Sequence, residues 1–325
     1  MTTTADLKSG LLADILDDIS VDLESISARY AGDTIDAKTR TALIARLSDR
    51  IYVREHAGRD PKAAQFVKRG SGNTFEHDIA TAAADFVSVA PVDIVDRSDA
   101  DRWIVMHQGV RIAVPSRSVT ETREGATIRL DSRRPRVSPG FFLVRGCRRP
   151  FVGRGTLVRL YCTVDNPVAA LGLWRALVRF LGDQDVPWQM KMISDAALLG
   201  RNDSLVIYFP RRAWPEIPAV VEAIALSDTT SDRHSPFTTR VGPGISYAFE
   251  PADPDPRSAA MSFGQHRSTA VAEALISHAA GTAVTAKPKS EYLVERLAAR
   301  GIDPTDLSRN LSSPIVPWLD ELRKD

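Results

Sequence analysis

The chain has 325 residues, of which 43% are hydrophobic and 26% are charged, and its formal net charge is +1. This composition excludes a disordered chain and disfavours a protein that coats nucleic acid. Two cysteines, Cys147 and Cys162, are too few for a disulfide framework, and no apolar run is long enough to span a bilayer. We therefore expect a cytoplasmic protein with no nucleic-acid or membrane partner.

Apolar residues recur at helical spacing in the first part of the chain. They are Leu11, Leu12, Ile15, Ile19, Leu23 and Ile26, and then Leu43, Ile44, Leu47 and Ile51. This period predicts helices between Asp6 and Arg54, followed by a charged connection over residues 54–73. We divide the chain into a mainly helical amino-terminal region (1–100), which binds a peptide or partner or caps the core, and a core with carboxy-terminal helices (101–325).

Short strands follow from residue 102. Trp103–His107 and Val110–Pro115 flank Gln108-Gly109 as a hairpin, Ala126–Leu130 continues the strand pattern, and Phe141–Val144 follows the turn Ser138-Pro139-Gly140.

The second half of the chain alternates strands and helices. In Thr156–Val164, Arg159, Tyr161 and Thr163 share one face, and Val158, Leu160 and Cys162 share the other. Asn166-Pro167 begins a helix that ends near Gly182. Strands around Lys191 and Leu205, a helix over Pro215–Leu226, a loop-rich stretch and a last helix pair follow. This order predicts an α+β fold with a mixed, largely antiparallel sheet flanked by helices.

Lys191 lies in an apolar strand, between Val186 and Ile193. A cation in such a strand must be solvated, paired with an anion or used in binding or catalysis. Two interpretations stay open: a lysine on the open face of an edge strand, or a lysine whose surroundings favour its neutral form, so that it takes a proton from carbon.

Five motifs occur in a fixed order along the chain. They are Arg159-Leu160-Tyr161, Pro187-Trp188-Gln189-Met190-Lys191, Arg201-Asn202-Asp203-Ser204, Phe237-Thr238-Thr239-Arg240-Val241-Gly242-Pro243-Gly244 and Ser262-Phe263-Gly264-Gln265-His266-Arg267. In this order they resemble the HopA type III effector-like family. The resemblance covers roughly Trp103 to Asp306, and its specificity comes from the ordered set.

The resemblance implies a stand-alone phosphoserine and phosphothreonine lyase of a lanthipeptide-like peptide pathway. Such an enzyme acts after a separate kinase of the aminoglycoside-phosphotransferase type. It converts a phosphorylated precursor peptide to dehydroalanine or dehydrobutyrine, with no metal or other cofactor. The family also includes effectors injected into plant cells, so family membership by itself does not settle the activity.

A β-elimination of phosphate requires a base, charge compensation for the phosphate, and a proton donor to the leaving group. Lys191 is the candidate base. Arg201, Arg240 and Arg267 are the candidate phosphate clamp, with Arg159 as a further candidate, because guanidinium groups bind phosphate in bidentate fashion.

The candidate proton donors are Tyr161 and His266, and Tyr161 is narrowly favoured because tyrosine keeps its proton near neutral pH. Gly264, at the start of the helix after Ser262, would add backbone N–H donors. In the competing interpretation Arg201 pairs with Asp203 across its turn. The chain is then a non-catalytic scaffold or effector-like adaptor that binds a phosphopeptide or the kinase.

Overall fold

The computed structural model describes residue 15 and residues 17–60, 74–123, 125–146, 156–184, 186–227, 231–281 and 287–323. Within these ranges helices occur together with three sheets, so the predicted α+β class is confirmed. Every strand pair of the described residues is antiparallel. Leu11 and Leu12 of the first predicted helix, and Cys147 of the core, lie outside the described residues.

The strands form one sheet of three, one of five and one of seven. The first holds β1 (Ile19–Asp22), β2 (Ser27–Tyr30) and β3 (Asp33–Asp36). The second holds β4 (Val87–Asp96), β5 (Arg102–His107), β6 (Val110–Pro115), β7 (Val119–Thr122) and β8 (Gly125–Asp131), in the order β6-β5-β4-β8-β7. The third holds β9 (Arg133–Ser138), β10 (Phe141–Gly146), β11 (Leu157–Cys162), β12 (Trp188–Ile193), β13 (Leu205–Pro210), β14 (Thr239–Gly242) and β15 (Ile245–Phe249), in the order β14-β15-β11-β13-β12-β10-β9.

The α-helices of the described residues are α1 (Arg40–Ile51), α2 (Thr74–Ala82), α3 (Pro167–Asp183), α4 (Ile217–Ala225), α5 (Phe263–Gly281), α6 (Lys289–Ala299) and α7 (Pro317–Glu321). A π-helical turn, Tyr52–His56, continues α1. Short 3-10 turns lie at Ser116–Ser118, Ala196–Leu198, Arg211–Glu216 and Pro256–Ser258. Among the residues described, no helix has both the length and the apolar character that crossing a membrane requires.

The seven-stranded sheet has a helical layer on each face. Val158, Leu160 and Cys162 of β11 belong to an apolar cluster with Trp174 of α3. Tyr161, on the opposite face, belongs to a second cluster that includes residues of α1 and α5. The predicted division of β11 into two faces is therefore confirmed, but both faces are buried, so neither is a solvated polar face. The face that carries Tyr161 lies under α1, the π-helical turn and α5.

Residues 19–36 form the three-stranded sheet, so the helix predicted over this stretch is wrong. Their apolar residues fit a helical period, but two turns interrupt it. The Asp22 carboxylate accepts a hydrogen bond from the backbone N–H of Glu24 at 2.9 Å. Ala31 and Gly32 have φ values of 52° and 81°, which suit a two-residue hairpin turn. The second helix predicted for this region is confirmed as α1.

The helix α3 begins and ends where the sequence predicts. The side chain of Asn166 accepts hydrogen bonds from the backbone N–H groups of Val168 and Ala169, at 2.8 and 3.2 Å, and Pro167 is the first helical residue. By contrast, the stretch interpreted as loop-rich contains the hairpin β14–β15. The strand β4, which pairs with β5 and β8, was also missed.

Candidate functional site

One row of paired residues crosses the seven-stranded sheet. Lys191 pairs with Val206, Val206 with Tyr161, Tyr161 with Ser246, and Ser246 with Arg240. Residues paired in this way lie on the same face of the sheet. Strands are spaced by about 4.8 Å, so the Cα atoms of Tyr161 and Arg240 lie about 10 and 19 Å from that of Lys191. The row brings Tyr161 near Lys191 and leaves Arg240 at a distance.

Lys191 and Arg201 meet at one aromatic side chain. The Nζ atom of Lys191 lies 4.0 Å from the centroid of the Phe141 ring, and the Cζ atom of Arg201 lies 5.7 Å from the same centroid. Phe141 is the first residue of β10, directly after the predicted Ser138-Pro139-Gly140 turn. An aromatic face attracts cations, so this ring holds both positive groups at one place.

Arg201 forms an ion pair with Asp203, as the competing interpretation expects. Its Nε and Nη2 atoms donate to the two oxygens of Asp203, at 2.6 and 2.8 Å, and Nη2 also donates to the hydroxyl of Tyr52 at 2.8 Å. Burial alone would raise the pKa of Asp203, but the charge and hydrogen bonds of Arg201 outweigh burial and hold it at about 2. The charge of Lys191 acts in the same direction.

Arg159 is also paired. It is buried, and its Nη2 atom donates to Glu250 at 2.6 Å, while its Nε atom donates to the other carboxylate oxygen. Its Cζ atom lies 5.0 Å from the centroid of the Tyr208 ring. Thus each arginine on the two sides of the Lys191 row is neutralised by a carboxylate. Their net positive field at Lys191 is small compared with that of two unpaired arginines.

Tyr161 has a buried hydroxyl without a hydrogen-bond partner among the described residues. Its ring stands edge-on to that of His56, at 5.5 Å between centroids, and lies 6.1 Å from that of Phe263. Burial raises the pKa of Tyr161 above its ordinary value, while the nearby charge of Arg159 opposes this effect. The hydroxyl therefore keeps its proton at neutral pH.

His266 and Arg267 hydrogen-bond to each other at the start of α5. Arg267 Nη1 donates to His266 Nδ1 at 2.8 Å, because arginine has no acceptor. The remaining ring proton of His266 is then on Nε2, which donates to Asp253 at 2.8 Å. Burial lowers the pKa of His266 to about 4. In this structure the single ring proton of His266 is already bound by a carboxylate.

Arg267 itself is fully buried and directed away from Lys191. Its Nε atom donates to the Leu307 carbonyl at 2.8 Å, and its Nη2 atom donates to the Arg309 carbonyl and to Asn310 Oδ1, each at 2.9 Å. Arg240 lies on β14, at one edge of the sheet, where its Nη2 atom pairs with Asp232 at 2.5 Å. The predicted convergence of Arg201, Arg240 and Arg267 on one phosphate does not occur in this structure, because the sheet and the segment 307–310 hold the last two elsewhere.

The family model of the HopA1 effector protein family matches residues 132–309, which is more than half of the chain. The chain belongs to the HopA1 effector protein family. The matched range contains all the predicted site residues, which are Lys191, Tyr161, His266, Arg201, Arg240, Arg267 and Arg159. A search of the curated proteins finds no match.

Two solved structures are similar to this HopA1-family chain. One is the effector protein from Pseudomonas syringae pv. tomato strain DC3000, at 15% identity over 85% of this chain and 91% of that chain, with a TM-score of 0.44. The other is the effector protein from Pseudomonas syringae pv. syringae strain 61, at 15% identity over 84% of this chain and 90% of that chain, with a TM-score of 0.47.

Sequence reasoning missed two site residues that precede the range matched by the HopA1 model. Tyr52 and His56 are the first and last residues of the π-helical turn. His56 is buried against Tyr161, and its Nδ1 atom lies 3.0 Å from Ser235 Oγ. Spacing by four residues puts Tyr52 and His56 on one side of a helix, and this was the available signal.

Gly264 leaves room for His56. A Cβ atom on Gly264 would lie 2.1 Å from His56 Cδ2, so the glycine of the Ser262-Phe263-Gly264 motif lets the helix start approach the histidine. At this start Ser262 Oγ accepts from the backbone N–H of Gln265 at 3.4 Å, and Gln265 Oε1 accepts from the backbone N–H of Ser262 at 2.9 Å. This reciprocal pair is a capping box. That Gly264 donates its backbone N–H to phosphate stays a prediction.

Proposed function

We propose that this HopA1-family protein is a phosphoserine and phosphothreonine lyase that eliminates phosphate from a phosphorylated precursor peptide. The observation that carries the proposal is the approach of Lys191 and Arg201 to the same Phe141 ring. A half-buried amine and a guanidinium side by side are the two groups that an elimination needs, one for the α-proton and one for the phosphate.

The proposed step balances without a cofactor. The neutral amine of Lys191 takes the proton from Cα of the phosphorylated residue. The electron pair of that C–H bond forms the Cα=Cβ double bond, and the Cβ–O bond breaks with its pair on the oxygen of the leaving phosphate. The leaving phosphate takes a proton from a donor side chain. The products are dehydroalanine or dehydrobutyrine, hydrogen phosphate, the deprotonated donor and the lysine ammonium, and a proton passes from the ammonium to the donor through water.

Arg201 is the proposed phosphate ligand, with Arg159 as the second. Asp203 and Glu250 fix the two guanidinium groups in orientation, which lowers the entropy lost when they bind an anion. Tyr161 is the proton donor that the sequence favours, and its hydroxyl is buried and lacks a partner among the described residues. His266 is less suited, because its ring proton is donated to Asp253.

The proposed substrate requires a kinase to act first, because phosphate must be attached to serine or threonine before it is eliminated. A separate aminoglycoside-phosphotransferase-like kinase is the proposed partner. The competing function is a binding module that holds the phosphopeptide or the kinase without turnover. The carboxylates on both arginines favour this alternative, because they compete with a phosphate for the same guanidinium groups.

Incubation with synthetic phosphoserine and phosphothreonine peptides separates the two functions. We expect mass spectrometry to show loss of phosphoric acid and a product that adds a thiol. Lys191→Ala should lower the elimination rate by about 10²- to 10⁴-fold, the usual effect of removing a general base. Lys38→Ala, which removes an exposed lysine, is the matched control and should leave the rate unchanged. A peptide that binds and is recovered intact supports the binding module, and full activity of Lys191→Ala rules out the base assignment.

A further inference from the structure

The hydroxyl of Tyr52 lies at the proposed phosphate ligand itself. It accepts a hydrogen bond from Arg201 Nη2 at 2.8 Å and donates to Asp203 Oδ2 at 3.3 Å. The Cζ atom of Arg201 also lies 5.8 Å from the centroid of the Tyr52 ring. Tyr52 is half-buried, and its hydroxyl lies against the Arg201–Asp203 ion pair.

Tyr161 is less well placed to protonate a phosphate bound by Arg201. Its Cα atom lies about two strand spacings from that of Lys191, roughly 10 Å. Its ring is covered by those of His56 and Phe263, and its hydroxyl is inaccessible to solvent. A substrate would have to displace the π-helical turn or the start of α5 to reach it. The hydroxyl of Tyr52, by contrast, contacts the guanidinium group of Arg201 directly.

We infer that Tyr52 is the proton donor to the leaving phosphate. This inference rests on the proposed lyase function and replaces Tyr161 with Tyr52 as the proton donor. Lys191 takes the α-proton, the Cβ–O bond breaks, and the departing oxygen takes the proton of the Tyr52 hydroxyl. The products are the dehydroamino acid and hydrogen phosphate. The tyrosinate then recovers a proton from water, and the lysine ammonium releases one, so no co-reactant is consumed.

Asp203 is a positioning residue in this scheme. In the free protein it accepts the hydrogen bond of the Tyr52 hydroxyl, and it fixes Arg201 through two hydrogen bonds. Burial and the negative charge of Asp203 raise the pKa of Tyr52 above its ordinary value, although Arg201 opposes this effect. The phenol is thus protonated when a phosphate arrives. An oxygen of that phosphate replaces Asp203 as the acceptor.

The test compares two leaving groups of the same shape. Sulfate departs readily without a proton, whereas the phosphate dianion needs one, so a peptide with serine O-sulfate does not depend on the donor. We expect Tyr52→Phe to lower elimination from a phosphoserine peptide by about 10²- to 10⁴-fold. Elimination from the matching sulfoserine peptide should fall by less than about tenfold if donation is the lost function. Tyr161→Phe tests the rival donor and should leave the ratio of the two rates unchanged. Tyr292→Phe, which removes the hydroxyl of a half-buried tyrosine on α6, is the matched control and should leave both rates unchanged.

The outcomes separate the inference from the proposed function. If the wild-type protein eliminates neither group, the lyase function fails and the donor assignment falls with it. If it eliminates phosphate and Tyr52→Phe does so at the same rate, the lyase function stands and the donor assignment is wrong. An equal loss for both peptides shows a structural effect of Tyr52 and also overturns the assignment, as does a changed ratio in Tyr161→Phe. If the wild-type protein releases phosphate but not sulfate, exchange of the α-proton with deuterium decides: Tyr52→Phe must retain exchange while losing elimination.

Discussion

The charged side chains around Lys191 each contact a partner. Arg201 is paired with Asp203 and Arg159 with Glu250, and Lys191 rests on the Phe141 ring. The charge of each guanidinium is therefore largely cancelled by a neighbouring carboxylate.

We expect a methyl group added at Gly264 to disturb the site. Gly264→Ala places a Cβ atom 2.1 Å from His56 Cδ2, so the helix start or the π-helical turn must shift. We expect a loss of about 1–3 kcal/mol in the free energy of unfolding, as for overpacked cores. Chemical denaturation measures this loss.

Gly172→Ala is the matched control for that variant. A Cβ atom at Gly172, in the exposed part of α3, meets nothing within 4 Å. There the free energy of unfolding should rise by about 0.5–1 kcal/mol, because alanine replaces glycine inside a helix. Equal stability changes in the two variants would contradict the close approach of Gly264 to His56.

Single helices and strands were predictable where the spacing of apolar residues and the residues typical of element ends indicated the same structure. In α3 the cap, the first-turn proline and the apolar stripe all indicate the same helix, and β11 alternates cleanly between two environments. The helix predicted over residues 19–36 was wrong because a weak helical period was interrupted by turn residues such as Gly32, whose φ is 81°. The hairpin β14–β15 was missed because its strands have four and five residues, too few to show a period.

The cap of α3 offers a test at this scale. Asn166→Ala removes the acceptor for the backbone N–H groups of Val168 and Ala169. The free energy of unfolding should fall by about 1 kcal/mol. Val168→Ala, at a neighbouring position that is 81% exposed, should change it little. A larger effect of Val168→Ala than of Asn166→Ala in urea denaturation would refute the assigned cap.

Across the whole molecule, the π-helical turn and the loop before β13 meet at the candidate site. The side chain of Asn202 donates to the His56 carbonyl at 3.2 Å, and its backbone N–H donates to the Ala57 carbonyl at 3.1 Å. His56, at this contact, and His266, beside Asp253, are both buried as neutral side chains. Burial lowers the pKa of each to about 4, from an ordinary value of 6.5.

These two histidines predict a loss of stability in weak acid. Their folded pKa values lie below the unfolded value, so the unfolded chain takes up protons first as the pH falls. The stability that they contribute is complete above about pH 6.5 and is lost as the pH falls to about 4, by at most about 3 kcal/mol for each group. Denaturation curves at several pH values across this range measure the loss.

Substitution of the histidines isolates their share of that pH dependence. His56→Gln and His266→Gln should each flatten the fall in unfolding free energy between about pH 6.5 and pH 4. His77→Gln, at an exposed position, should preserve the wild-type slope. A slope unaffected by both buried substitutions would show that other groups cause the acid sensitivity.

The amino-acid sequence by itself determined the α+β class, the two faces of β11, the ends of α3 and the Arg201-to-Asp203 spacing that allows an ion pair. These features depend on residues close together in the chain. Tertiary structure alone decided which cations meet Lys191, that Arg240 and Arg267 are held elsewhere, and that Tyr52 contacts Arg201 from 149 positions away. The reason is that strand order and helix docking bring distant segments together. The spacing of residues along one sequence does not encode either of them.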